Sequence, residues 1–154
     1  MVHNDKFQVA EGMKGQTRIT ILKGIIDEDT NLDKLMKING PLVFNWQEIS
    51  GINSCGVRTW VNFMKQVADR PVYYDSCPPL IVRQMNMVPS FVGHAKVLSV
   101  FASYICEACE VEKLVLIANK DFGANIKETF PCQSCGNGEM EFDGQAQQYF
   151  AFAK

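Results

Sequence analysis

Four of the six cysteines in this 154-residue chain form two C-x-x-C pairs, Cys106/Cys109 and Cys132/Cys135, with residues 110–131 between them. Each C-x-x-C turn can present two thiolates to one ion, and zinc takes four soft ligands in a tetrahedron. In a chain without a secretion signal, paired motifs indicate metal binding before disulfides. The spacing predicts a zinc ribbon. Its zinc would be structural, because a closed four-cysteine site leaves no position for a catalytic water.

The alternatives to zinc are four reduced thiols or two redox pairs. We disfavour a thioredoxin-like redox role for two reasons. That motif should open a helix beside a strand, and this chain has two C-x-x-C pairs. Many ribbons bind nucleic acid, which would require an excess of basic residues. From Cys106 to Cys135 the acids instead outnumber the bases: Glu107, Glu110, Glu112, Asp121 and Glu128 against Lys113, Lys120 and Lys127. Nucleic acid is therefore not the expected partner.

A second candidate site is the stretch Gly51–Val57, which follows an apolar run and precedes a helical pattern. Pro41–Trp46 indicates a strand buried on both faces. Gly51 and Gly56 permit a tight turn, and Asn53 and Ser54 are favoured N-cap residues. One helical face then carries Val57, Trp60, Val61, Met64 and Val67 or Ala68. Ser54 is expected at the N-terminus of this helix, where backbone N–H groups and the helix dipole stabilise an anion or an added phosphate.

These residues carry a family resemblance. Asn53-Ser54-Cys55-Gly56-Val57 resembles the Asp-Ser-Ser/Thr-Gly-Leu signature of the STAS domain, the anti-sigma-factor antagonist family. The early Gly-x-x-Asp element of that family is matched by Gly24-Ile25-Ile26-Asp27. The likeness covers roughly the first two thirds of the chain. It implies a cytoplasmic bacterial regulator of transcription that works through a protein partner.

The resemblance also implies a role for particular residues. In the family, the serine at the position of Ser54 is phosphorylated by a partner kinase that is also the anti-sigma factor. Ser54, Arg58 and Asn62 would form the docking face, with Asn53 in the turn and Asp27 nearby. Asn53 stands where the family has an aspartate, and Cys55 where it has a second hydroxyl. The alternative is an unphosphorylated interaction module, in which Ser54 only caps its helix.

The elements that must position both sites predict an α/β fold. Two strands, Phe7–Ala10 and Arg18–Lys23, are expected to join through Gly12–Gly15. Five further elements follow in the sequence. They are a short helix with Leu32, Leu35 and Met36, the Pro41 strand, the Ser54 helix, a Val72–Tyr74 strand and a helix from Pro78-Pro79. This alternation predicts a mixed, mostly parallel sheet packed with helices, which is the order that the STAS fold uses.

We expect two domains: residues 1–98 as the STAS-like domain and residues 99–154 as a zinc-ribbon-like β element with a terminal helix. In the second, Val97–Tyr104, Lys113–Ala118 and Glu139–Phe142 are predicted strands, and Gln145–Ala153 a helix capped by Asp143. Cys55 is expected to be a half-buried packing residue, since cysteine behaves as a small hydrophobe.

Composition limits the function classes. A net charge of −2 gives no general attraction to nucleic acid or anionic membrane. No apolar run approaches the roughly 18 residues of a membrane span, and the first residues have no apolar signal segment, so we expect a cytoplasmic protein. The chain has no His-Glu-x-x-His, no phosphate-binding glycine loop and no nucleophile elbow. We therefore expect no enzyme and assign no catalytic residue.

Overall fold

The computed structural model of the protein describes residues 6–153, except for the side chain of Ala124. Within this range the chain forms two β-sheets, and helices connect the strands of the first. The strands are β1 (Gln8–Lys14), β2 (Thr17–Ile26), β3 (Leu42–Ile52), β4 (Val72–Asp75), β5 (Lys96–Val97), β6 (Ser99–Cys106), β7 (Glu112–Ala118), β8 (Thr129–Pro131) and β9 (Glu139–Phe142). The α-helices are α1 (Asp33–Met36), α2 (Ser54–Gln66), α3 (Pro79–Met87), α4 (Pro89–Val92) and α5 (Ala146–Tyr149).

The first sheet has five strands in the order β1-β2-β3-β4-β5. β1 and β2 form an antiparallel hairpin that turns at Gly15, whose φ of 63° suits glycine. The pairs β2–β3, β3–β4 and β4–β5 are parallel, and such pairs need crossover connections, which the helices provide. The predicted mixed α/β class is confirmed, together with the second, smaller β element.

An aromatic cluster fixes α2 on this sheet. Trp60 of α2 is fully buried, and its ring centroid lies 4.7 Å from that of Trp46 and 5.2 Å from that of Phe44, both on β3. The Trp60 indole N–H donates to the Tyr74 hydroxyl (2.7 Å), which donates to the carbonyl of Phe91 (2.6 Å). Because the Trp60 indole and the Tyr74 hydroxyl are both paired, their burial carries little penalty and α2 is held firmly, whereas the buried Trp46 Nε1 has no hydrogen-bond partner among the described residues.

The second sheet is antiparallel, with strand order β7-β6-β9-β8. Its central strand β6 alternates between the interior and the outer face, so that Val100, Ala102, Tyr104 and Cys106 are all buried. The Tyr104 ring packs against Phe130 (4.9 Å) and Phe142 (5.8 Å). These contacts bring the ends of β6, β8 and β9 together, next to the cysteines.

β6 also joins the two sheets. Cys77, just after β4, forms a parallel bridge with Val100. The N–H of Cys77 donates to the carbonyl of Ser99 (3.2 Å), and the N–H of Phe101 donates to the carbonyl of Cys77 (2.8 Å). The buried residues of the two sheets accordingly form one hydrophobic cluster. The predicted domain boundary between residues 98 and 99 stays a prediction.

A buried carboxylate reinforces this junction. Asp75 is 1% exposed and accepts hydrogen bonds from the Ser99 hydroxyl and from Lys14 Nζ (3.0 Å). The Ser99 hydroxyl oxygen in turn accepts from the N–H of Ser76 (2.8 Å). A buried charge requires such partners. Burial and the neighbouring Asp75 raise the pKa of the Cys77 thiol, so this cysteine stays protonated and inert.

Several element boundaries differ from the sequence predictions. β1 continues through the residues expected as a loop and ends only at Lys14, and β3 continues to Ile52, so Gly51 lies in a strand rather than in a turn. The strand β8 and the short helix α4 were not predicted. These extensions arise from pairing, because β2 provides partners along the whole of β1 and along β3 as far as Ile52.

The C-terminal helix is shorter than predicted. It comprises α5 and a 3-10 turn at Ala151–Ala153, and its N-cap is Gln145 rather than Asp143. The side chain of Asn86 on α3 holds this segment, since its Nδ2 donates to the carbonyl of Tyr149 (3.0 Å) and its Oδ1 accepts from the N–H of Phe152 (2.8 Å). Among the described residues, no helix is long and apolar enough to cross a membrane.

Candidate functional site

The four cysteines of the two C-x-x-C pairs converge. The Sγ atoms of Cys106, Cys109, Cys132 and Cys135 all lie within 4.8 Å of one another. Two of the distances, Cys106–Cys135 and Cys109–Cys132, are 3.8 Å. A tetrahedron with metal–sulfur bonds of about 2.3 Å has edges of about 3.8 Å, whereas a disulfide bond measures about 2.0 Å. The cluster therefore has the dimensions of a four-sulfur metal site, and these residues could hold a metal ion.

The two cysteine turns follow the same backbone path. The N–H of Glu110 donates to the carbonyl of Cys106 (2.7 Å), and the N–H of Gly136 donates to the carbonyl of Cys132 (3.1 Å). Both residues that follow the second cysteine have positive φ, 62° at Glu110 and 71° at Gly136. Glycine adopts this conformation freely, whereas glutamate is strained in it. The demand for a positive φ at Glu110 was not anticipated from the sequence.

Gly138 is a further requirement that sequence reasoning missed. A Cβ atom at this position would stand 2.7 Å from Cys106 Sγ and 2.8 Å from the Cβ of Ala108. The carbonyl of Gly138 also accepts from the N–H of Cys132 (2.9 Å). Only glycine leaves room here for the sulfur, so Gly138 belongs to the site although it provides no ligand.

Backbone N–H groups lower the charge cost of the sulfur cluster. Those of Asn137 and Gly138 lower the pKa of Cys135 to about 6, and those of Cys135 and Ser134 lower the pKa of Cys132. At Cys109 the Val111 N–H acts in the same direction, but desolvation and the other three sulfurs prevail and raise the pKa to about 12. The backbone N–H groups thus favour the thiolate form at Cys132 and Cys135, which is the form that ligates a metal ion, whereas the surroundings of Cys109 favour the thiol.

The Ser54 turn is built differently from the prediction in one respect. Asn53, not Ser54, is the N-cap of α2, and its Oδ1 accepts from the N–H of Gly56 (2.8 Å). Ser54 is the first helical residue and is exposed. Of the two predicted N-cap residues Asn53 is therefore the cap, and the alternative in which Ser54 caps the helix is wrong. Its hydroxyl is not needed to start the helix.

Gly56 allows α2 to begin directly against the end of β2. A Cβ atom on Gly56 would stand 2.1 Å from the carbonyl oxygen of Ile26. The N–H of Asn53 donates to the same oxygen (3.2 Å). The position of Ser54 is thus set by backbone contact between β2 and α2, and no other residue than glycine fits at position 56.

Sequence reasoning missed Glu28. Asn53 Nδ2 donates to Glu28 Oε2 (2.8 Å), and this bond lowers the pKa of Glu28. Asp27, the acid that the resemblance implies, turns away into its own loop, where its Oδ1 accepts from the N–H of Asp29 (3.0 Å) and the hydroxyl of Thr30 (3.3 Å). Glu28 therefore supplies the carboxylate beside the turn.

The remaining predicted docking residues lie along α2. Arg58 and Asn62 are exposed, one and two turns beyond Ser54. Asn62 borders a groove of about 440 Å³ between α2 and the loop before α1, with Asp29 and Met36 on its far side. Cys55 is exposed, so its predicted half-buried packing role was wrong.

Comparisons with known proteins add no family assignment. No model of a known protein family matches the chain, and no curated protein matches it. Function must therefore be argued from the two sites themselves.

Proposed function

We propose that the protein is a non-catalytic regulatory protein with a STAS-like fold, which docks to a protein partner through the Ser54 turn and α2. The observation that carries this proposal is the exposure of Ser54 on a turn whose neighbours are all fixed. Asn53 caps the helix, Gly56 contacts β2, and Trp60 anchors the buried face. A rigid turn with an exposed, otherwise unused hydroxyl suits recognition.

Ser54 is also placed for a phosphorylation switch. The first turn of a helix has backbone N–H groups without helical partners, and its dipole favours negative charge. A phosphate on Ser54 would add about −1.5 to −2 charges at the docking face. Because Glu28 already holds a negative charge next to Asn53, the modified turn would be strongly acidic and would release or exchange a partner that prefers the unmodified form.

The kinase-like partner, an anti-sigma factor in the family that the motif resembles, is part of this proposal. Two observations support the STAS-like interpretation. The elements up to α3 occur in the order strand, strand, helix, strand, helix, strand, helix, and the Asn53–Val57 motif lies where β3 leads into α2. Asn53 departs from the family pattern, but the adjacent Glu28 carboxylate restores an acid at that place.

We further propose that the four cysteines bind zinc with a structural role. Four sulfurs fill the tetrahedron that zinc prefers, so no position remains for a water or a substrate. The ion would fix the ends of β6, β8 and β9, which carry or flank the ligands. A nucleic-acid role for this segment is less well supported, since Glu107, Glu110, Glu112, Glu139 and Glu141 are all exposed there.

The test compares partners captured from the host lysate by wild type, Ser54→Asp and Ser90→Asp. Aspartate is well tolerated in the first helical turn, so α2 should persist in Ser54→Asp. Ser90 is an exposed serine on α4, beside the C-terminal half of α2, and controls for added charge. We expect a protein held by wild type and Ser90→Asp but lost with Ser54→Asp, and phosphoserine at position 54 by mass spectrometry.

Other outcomes separate the parts of the proposal. Loss of the partner in Arg58→Glu but not in Ser54→Asp would support an unphosphorylated docking module. Identical capture by all variants would refute docking at this face. A mobility shift of RNA or DNA that weakens with salt would instead favour the nucleic-acid alternative.

A further inference from the structure

The strand β7 leaves one edge of the second sheet open. Among the described residues it pairs only with β6. Two backbone hydrogen bonds show which residues of β7 direct their N–H and C=O groups towards β6. The N–H of Cys106 donates to the carbonyl of Val111 (3.0 Å), and the N–H of Asn119 donates to the carbonyl of Leu98 (2.9 Å). Because these positions alternate along an antiparallel strand, the backbone groups of Leu114 and Leu116 point away from the sheet.

This edge has little of the usual protection against pairing. Natural edge strands carry prolines, bulges or charges that prevent association. β7 has no proline, its pairing with β6 runs without a register shift, and its two charges, Glu112 and Lys113, both lie at its beginning. Leu114 and Leu116 are 48% and 50% exposed, and they lie on the same outer face as the half-buried Phe101, which is paired with Leu116. The edge therefore offers both unsatisfied backbone groups and an apolar surface.

We propose that β7 pairs with β7 of a second copy of this chain, antiparallel and centred on Val115. In this register all seven residues of β7 overlap, and its outward N–H and C=O groups find partners. Leu114 of each copy then lies opposite Leu116 of the other. Two such leucine pairs, flanked by the two Phe101 side chains, form a continuous apolar strip across an eight-stranded sheet.

The charges at the two ends of β7 favour this partner and this direction. Glu112 begins the strand and is held on the outer face by the Ser103 hydroxyl, which donates to its Oε1 (2.8 Å). Lys120 follows two residues after the end of the strand. Antiparallel pairing brings Glu112 of one copy towards Lys120 of the other, at both ends. Parallel pairing would instead place Glu112 beside Glu112, which is unfavourable.

Sedimentation velocity over a concentration series tests the dimer. A seven-residue strand pair is smaller than a standard interface, so we expect a dissociation constant in roughly the micromolar range. Leu116→Lys should raise it at least about tenfold. Met87→Lys changes a more exposed apolar residue (67%) on α3 and should leave the dimer unchanged. Backbone NMR spectra verify that each variant is folded, since the second sheet contains no tryptophan. A wild type that is monomeric at about 100 µM, or a Leu116→Lys variant that dimerises like wild type, would overturn the proposal.

Charge reversal tests the register. Glu112→Lys and Lys120→Glu should each weaken the dimer, and the double variant should restore it, because the two charges only exchange places. A second measurement is hydrogen exchange. The amide protons of Leu114 and Leu116 should exchange with solvent more slowly as the protein concentration rises, since only the dimer protects them. If the double variant stays weak, or if these amides exchange at a concentration-independent rate, another surface joins the copies and β7 pairing is excluded. If only a different polypeptide, and not a second copy of this chain, slowed the exchange of these amides, the proposed β7–β7 pairing would likewise be refuted.

Discussion

The two halves of the molecule are stabilised in different ways. The first half is the five-stranded sheet with its helices, residues 6–98, and the second half is the four-stranded sheet with the cysteine turns, residues 99–153. Among the largest fully buried side chains of the described residues, only Tyr104 lies in the second half, whereas Trp46, Trp60, Tyr74 and Phe91 all lie in the first. The first half therefore has a core that can sustain a fold. The second half has a four-stranded sheet with a thin core, and its ends meet at four sulfurs. A small β-unit that cannot bury enough apolar surface needs a crosslink, and the cysteine cluster is placed to supply one.

The largest effect is expected from removing the metal that we propose. Chelation, or Cys106→Ser, should unfold the cysteine turns together with β8 and β9, because structural zinc provides much of the folding free energy of such small units. The first half should remain folded. Both tryptophans of the chain lie in the first half, so tryptophan fluorescence reports on that half alone.

The readout for the second half is the set of backbone NMR signals of β8 and β9. Zinc content, measured by elemental analysis, should be one ion per chain before chelation and none afterwards. Cys55→Ser is the matched control, since Cys55 is exposed and remote in sequence from the cluster. If chelation left every signal of β8 and β9 in place, the contrast between a packed half and a metal-held half would be wrong.

The converse experiment disturbs the packed half. In Gly56→Ala the new methyl group would stand 2.1 Å from the backbone carbonyl oxygen of Ile26, and neither backbone segment can yield easily. We expect a loss of about 3 kcal/mol or more in the free energy of unfolding. Gly51→Ala is the control, because its methyl group would meet only the flexible Ile25 side chain at 3.4 Å. Urea unfolding followed by tryptophan fluorescence measures both, and equal midpoints would contradict the close contact.

A smaller effect should distinguish the two cysteine turns. Glu110 has a positive φ similar to that of Gly136, so Glu110→Gly removes strain at one turn. We expect stabilisation by about 1 kcal/mol, visible as a higher thermal midpoint of the metal-bound protein. Gly136→Ala should destabilise by a similar amount, since it introduces the same strain at the other turn. If Glu110→Gly were destabilising, the side chain of Glu110 would have a role that its backbone conformation does not reveal.

The outcome of sequence reasoning differs between these regions for a physical reason. The cysteine cluster follows from spacing, because two C-x-x-C turns on a small sheet have few ways to arrange four sulfurs. The α/β order follows from periodicity, as at α2, although the buried Phe63 was missed. Features that depend on contacts between distant segments were not accessible. Glu28 reaches Asn53 from 25 positions away, and the length of β3 depends on pairing with β2.

The smallest effect concerns the acid at the Ser54 turn. Asn53→Asp would introduce the acid found in the family that the motif resembles, and it would keep a good N-cap. It would also place a second carboxylate against Glu28, at the site of a 2.8 Å hydrogen bond, so we expect a lower urea midpoint than wild type. Adding Glu28→Gln to Asn53→Asp should recover the midpoint, because the amide can donate to the new carboxylate. A double-mutant cycle over these variants isolates the coupling between the two positions.

The same pair predicts a pH dependence with a definite sign. The hydrogen bond from Asn53 lowers the pKa of Glu28 in the folded protein below its usual value of 4.5. Its contribution to stability is therefore present above the ordinary pKa and is lost as the pH falls through the lowered one. NMR titration of the Glu28 carboxyl carbon should give a depressed pKa in wild type and an ordinary one in Asn53→Ala. If both titrate alike, Glu28 does not supply the missing acid of the turn, and a partner that recognises this face must do so without it.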